Sequence, residues 1–233
     1  MNISPTKNGP GDNDAKNGGR PVRRLWFRAS AMAAAAVAFG CLYFFIRQYL
    51  KDGIWRFDLS LVNKSLGVAA LILLALSMFL TGVAYFSRGP ARPLAFRKYY
   101  GLVGFWVGLA HGAVNHILLP AAGLHPEIKS GDRHAELIGL VALAVFASMA
   151  VASTAWARRR LGGKKWRKLL RYSGYAGLVL AAAHAGLLKW SSWTKYFRTF
   201  DPVMPSLSLF AAAFAAVAIL LRLAVWYSEL RKK

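Results

Sequence analysis

Long apolar runs alternate with short polar stretches along most of the 233 residues. The runs cover about 27–46, 65–86, 99–122, 136–157, 169–189 and 204–227, and each is apolar on nearly all faces. Each is close to the roughly 20 residues that cross a hydrocarbon core about 30 Å thick. In lipid the backbone N–H and C=O groups must be satisfied within the segment, so the pattern predicts six transmembrane helices and an all-α polytopic bundle. The first connecting stretch sets Ile54, Trp55, Phe57 and Leu59 among charges, which suits a segment lying in the interface. Residues 1–24 are rich in Asn, Gly, Pro and Lys, with too few bulky apolar side chains to fold alone. The expected division is a disordered basic cytoplasmic tail over 1–24 and a six-helix transmembrane domain over 25–233. The first apolar run lacks a small-residue cleavage pattern after it and reads as a retained anchor.

Composition agrees, with 56% of residues in the hydrophobic set and 17% charged. The formal charge of +22 changes the picture only through its placement. Lys7, Lys16, Arg20, Arg23 and Arg24 lie in the tail, and Arg88, Arg92, Arg97 and Lys98 in the second loop. The fourth loop runs from Arg158 to Lys168 with seven basic residues, whereas the third balances Lys129 and Arg133 against Glu127, Asp132 and Glu136. Alternate loops therefore differ in basic bias, which predicts cytoplasmic termini and a multi-pass protein of the inner (plasma) membrane. Trp26, Trp106, Trp166, Trp190, Trp193 and Trp226 mostly fall near run ends, as interfacial rings do. Charge flanking the spans argues against a nucleic-acid surface, and the basic run Arg158 to Lys168 reads as an orientation signal before a lipid or partner contact. The single cysteine, Cys41, sits within an apolar run and reads as packing. No glycine-rich strand-to-helix loop is present, so NAD(P)H or flavin chemistry would belong to a partner.

Candidate chemistry comes from histidine. His111, His116 and His184 lie inside predicted spans, where an unpartnered polar ring is costly. Two readings compete: a neutral imidazole hydrogen-bonded between helices, and an axial ligand of haem iron. In an α-helix His111 and His116 point roughly 140° apart, so both cannot face one haem. At about 1.5 Å per residue from Tyr99 and Leu169, the three rings lie about 18, 26 and 22 Å deep, which leaves the choice between His111 and His116 open. Gly101, Gly104, Gly108 and Gly112 form a small-residue ridge on the third span, and Gly174, Gly177 and Ala181 another on the fifth. Helix packing explains such ridges somewhat better than room for a macrocycle. His125, before Pro126, and His134, near Glu136, fall in the third loop and read as solvated.

The run from Arg97 to Asn115, RKYYGLVGFWVGLAHGAVN, resembles the third span of the ferric reductase-like transmembrane domain, in which an arginine, a Gly-Leu pair and a histidine recur. The stretch from Ser153 to His184 is similar to the same family's signature through its ST, RRRLGGKKWRKLL and final histidine. Within the family the likeness is nearest to the MsrQ (YedZ) haem-binding membrane subunit. The resemblance implies a ferric reductase-like core over about 65–190 and b-type haem between the third and fifth spans. It also implies His111 and His184 as the paired ligands of the iron of an outer-side haem; His116 has no counterpart in the resemblance and stays the alternative to His111 on span position alone. Leu170 or Arg171 stands where the family carries a further histidine, so one haem is expected rather than two. The expected role is the redox membrane subunit of an oxidoreductase system. Electrons would come from a quinol or a cytoplasmic flavoprotein and pass to an outer-side reductase subunit. The rival reading is a cofactor-free membrane protein of assembly or transport that uses His111, Asn115 and His116 as interhelical polar groups.

Overall fold

The computed structural model describes residues 12–87, 92–124 and 132–231. Lys7, Arg88, His125, Pro126, Glu127 and Lys129 lie outside them. The long elements are α1 (Asp12–Asp52), α2 (Leu59–Phe86), α3 (Arg92–Ala113), α5 (Asp132–Ala152), α7 (Gly163–Thr199) and α8 (Leu207–Leu230). A π-helical turn, Val114–Leu118, and the short α4 (Leu119–Ala121) continue α3, and α6 (Ala155–Leu161) bridges α5 to α7. The all-α polytopic class is therefore as expected.

Among the described residues five helices are long and apolar enough to cross a membrane: Val22–Asp52, Leu59–Phe86, Leu94–Ala121, Arg133–Ala152 and Leu207–Leu230. The expected sixth span, 169–189, lies within α7 but does not reach the same apolarity. Tyr172, Ser173, Gly174, Tyr175 and His184 interrupt its aliphatic residues. α7 nevertheless packs along α5 and α8, both apolar spans, and buries Leu178 completely. α1 reaches back to Asp12, into the tail expected to be disordered.

Local chemistry sets the helix ends. Asp58 caps α2 by accepting the Leu61 N–H at 2.8 Å. Thr154 caps α6, its hydroxyl accepting from the Ala157 N–H at 3.3 Å, so the chain turns at Ser153–Thr154 rather than running on to residue 157. Gly162 takes φ of +71° between α6 and α7, a conformation a side chain would oppose. The Trp166 indole N–H donates to the Ala152 carbonyl at 2.7 Å and pins that corner. At the other end Tyr43 Oη and Arg47 Nε donate to the Pro205 and Met204 carbonyls at 2.8 and 2.9 Å, tying the segment before α8 to α1. In the first connecting stretch Trp55 stacks on Tyr49 with centroids 4.0 Å apart, while Ile54, Trp55 and Phe57 stay exposed.

α2 is the most enclosed span and touches α1, α3, α7 and α8. α3 packs on α2 and α5, and α7 packs on the same two helices; among the described residues no comparable packing joins α3 to α7. The four helices thus form a ring with α3 and α7 on one diagonal. α1 and α8 lie outside the ring, against α2. The glycine ridges serve this packing. A side chain at Gly104 would meet Leu73 and Leu74 of α2 at 3.1 Å, and one at Gly177 would meet the Phe146 ring of α5 at 2.9 Å.

Candidate functional site

His111 and His184 are placed by the two diagonal helices, and their surroundings repeat one design. The His111 ring lies against Gly67 of α2, where an added Cβ would stand 3.1 to 3.2 Å from the ring atoms. Its Nδ1 is 3.0 Å from the Asn63 carbonyl oxygen and 2.8 Å from Asn63 Oδ1. The His184 ring lies against Gly139 of α5, where a Cβ would stand 2.6 Å from Nδ1. Its Nδ1 is 2.6 Å from the Ala135 carbonyl oxygen. In both cases a ring binds the carbonyl of residue i and occupies the space above a glycine at i+4. That carbonyl already accepts the glycine N–H in an α-helix, so the imidazole shares it, and only an absent side chain lets the ring come so close.

The proton assignment follows from the acceptors. A carbonyl oxygen can only accept, so Nδ1 of each ring carries the hydrogen and donates it. A neutral imidazole then has its lone pair at Nε2, and among the described residues neither Nε2 takes part in a hydrogen bond. An imidazole tethered through Nδ1–H to a carbonyl, with Nε2 free, is the arrangement of a metal-ligating histidine. Asn63 is itself buried and held, its Nδ2 donating to Asn115 Oδ1 at 3.2 Å.

His116 is differently engaged. It lies in the π-helical turn, where i→i+5 bonding brings residues five apart closer in direction than α-helical geometry allows, so the 140° expected between His111 and His116 narrows. Yet His116 is exposed, and its Nδ1 faces Glu136 Oε1 at 3.4 Å. His134 is exposed in the first turn of α5. Leu170 is half-buried and Arg171 exposed near the start of α7. Cys41 is a half-buried free thiol packed against the core.

The stretch that forms the ring, from within α2 to within α7, is similar to one protein family. Residues 66–181 match the family model of the ferric reductase like transmembrane component. The ferric reductase-like stretch contains His111, Gly67 and Gly139, and it ends three residues before His184. The match points to a role in membrane electron transfer. No curated protein matches the chain. Among the described residues no three His, Cys, Asp or Glu side chains gather to hold a bare metal ion. Haem asks less of the protein, since the porphyrin supplies four nitrogens and side chains only the axial positions. Two histidines with free Nε2 atoms on diagonal helices fit that need.

Asn63, Gly67, the Ala135 carbonyl and Gly139 were not singled out by the sequence. Asn63 falls just before the apolar run that begins near residue 65, and neither glycine belongs to a ridge. The available signal was a polar or small residue followed at i+4 by glycine, in NKSLG and AELIG.

Proposed function

We propose that this chain is a haem b membrane subunit that carries electrons across the bilayer, with His111 and His184 as the axial ligands. The observation that supports it is the repeated tether: each imidazole donates through Nδ1 to a helix carbonyl and keeps Nε2 for iron. When bound, haem supplies a one-electron carrier that side chains of this composition lack. The chain's own residues supply the rest. Asn63 and the Ala135 carbonyl fix ring direction and hold the Nδ1 proton, and Gly67 and Gly139 let the rings sit close to their neighbours. Leu143, beside Gly108 and Gly112, contributes apolar wall that keeps water out. His111 rather than His116 is the ligand from the third span, because His116 is committed to Glu136 at an exposed position. With Leu170 and Arg171 near the start of α7, one haem is the proposed stoichiometry.

The likeness to the MsrQ (YedZ) subunit extends the proposal to an outer-side reductase as acceptor and a quinol or cytoplasmic flavoprotein as donor. It also extends to the inner membrane as the location, with both termini cytoplasmic. The test is spectroscopic. The protein purified from membranes should show a low-spin b-type spectrum on dithionite reduction. His111→Ala and His184→Ala should each abolish it, while His116→Ala should keep it. A chain free of haem, or bleaching by His116→Ala but not His111→Ala, would overturn the assignment. The absence of haem would instead favour the cofactor-free reading, in which the same Nδ1 hydrogen bonds clasp α3 to α2 and α7 to α5.

A further inference from the structure

Away from the histidines, one buried arginine lies over a tyrosine, and two further arginines stand near the same end of the bundle. Arg222 of α8 is 5% exposed, and its Nε and Nη2 are fully enclosed without a hydrogen-bond partner. Its guanidinium lies over the Tyr175 ring of α7 at 5.7 Å and the Trp226 ring at 5.2 Å. Among the described residues the Arg97 guanidinium hydrogen-bonds only the Met78 sulfur, at 3.9 Å, and Arg97 is half-buried. Arg171, one turn before Tyr175 on α7, is exposed. The Tyr175 hydroxyl donates to the Met78 carbonyl at 3.4 Å, so Arg97 and Tyr175 both meet Met78. Four helices contribute, with Met78 of α2 between Arg97 and Gly174. Among the described residues none of the three arginines is in an ion pair, and the one carboxylate on α8, Glu229, is exposed.

Mutually repelling guanidinium groups, one of them buried with two donors idle, are costly to assemble. The aromatic rings offset part of that cost but satisfy no N–H donor. An oxyanion would satisfy donors and charge together, because the planar guanidinium fork matches phosphate oxygens two at a time. Arg97 near the start of α3, Arg171 near the start of α7 and Arg222 in the second half of α8 lie at the end of the bundle where Arg158 to Lys168 also fall, and Arg171 is exposed there.

We propose that Arg97, Arg171 and Arg222 form a binding site for one net-anionic phosphate group at the basic end of the bundle. The group is carried by a lipid headgroup or free in solution, and Tyr175 forms the floor of the site. The site is independent of the haem assignment.

The test uses the full-length protein in nanodiscs of phosphatidylcholine alone, with phosphatidylglycerol added, or with inorganic phosphate replacing chloride. Thermal unfolding and native mass spectrometry are the readouts. Phosphatidylglycerol retention with a raised unfolding temperature identifies a lipid source, and stabilisation by inorganic phosphate in phosphatidylcholine identifies a soluble one. Arg171→Gln, at an exposed position where truncation leaves no cavity, should weaken the effect about fivefold. Arg222→Lys should retain more of it than Arg222→Gln. Equal responses in wild type and Arg171→Gln, or no response to either phosphate source, would overturn the proposal. Loss of haem absorbance from Arg171→Gln at unchanged phosphate response would also overturn it, by assigning the arginines to haem carboxylates.

Discussion

At the scale of single residues the two histidine notches make sharp demands. A methyl group at Gly139 would stand 2.6 Å from His184 Nδ1 and 2.8 Å from Cε1, distances that force the ring to move. Moving it breaks the donation to the Ala135 carbonyl, so Gly139→Ala should lower haem occupancy by about ten- to a hundredfold, as loss of a ligand's supporting hydrogen bond does. Gly67→Ala faces 3.1 Å rather than 2.6 Å and should be milder. The comparison is read by haem absorbance per protein, and equal occupancy in Gly139→Ala and wild type would count against the notch as a positioning device. Asn63→Leu separates two contributions to His111. The backbone carbonyl remains as acceptor while Oδ1 and the bond to Asn115 are lost. The reduced spectrum should persist, with a changed midpoint potential. Complete loss of the spectrum would mean that the amide, not the carbonyl, holds the ring.

At the scale of elements, packing between helices in lipid depends on small residues because the hydrophobic effect does not favour one apolar neighbour over another. Gly104 is one such close approach between α2 and α3, at 3.1 Å from the Leu73 and Leu74 side chains and 3.2 Å from the Leu74 backbone nitrogen. Backbone cannot give way as a flexible side chain can. Gly104→Val should therefore cost about 1–3 kcal/mol and lower the unfolding temperature, with His111 drawn away from Asn63 as a consequence. An unchanged unfolding temperature would show that α2 and α3 do not depend on this contact. The same elements show where sequence reading succeeds. Five spans were legible because aliphatic runs of sufficient length leave helix as the one solution in lipid. The sixth run, 169–189, was read from its apolar residues in the same way, and α7 forms there although its polar and small residues leave it less apolar than the other five. The histidines stood out as polar residues in apolar runs, and the α3 ridge could be read as packing. The notch partners did not stand out. Three of the four groups are a backbone carbonyl and two glycines of other helices, and which helix neighbours which is a property of tertiary packing. The π-helical turn was likewise hidden, since no residue type in VNHIL marks it.

At the scale of the whole molecule, the sign of the loops and the marginal apolarity of α7 meet in one question: whether α7 crosses. Its 37 residues would extend about 55 Å, ample for a core of about 30 Å with both polar ends outside. Its centre buries Leu178, Gly174 and Gly177 against helices that are themselves spans. A polar or small face is tolerated when neighbouring helices cover it, because the lipid then meets only the remaining residues. Crossing puts Arg158 to Lys168 and the turn around Val203 on opposite sides of the membrane, with the basic run inside. In a Cys41→Ser background, a cysteine at Lys164 should resist a membrane-impermeant maleimide added to intact cells and react after the membrane is opened. A cysteine at Val203, which is 79% exposed, should react in intact cells. If both positions react from the same side, α7 does not span. The ring around His111 and His184 would then have to assemble with one of its four helices outside the hydrocarbon core.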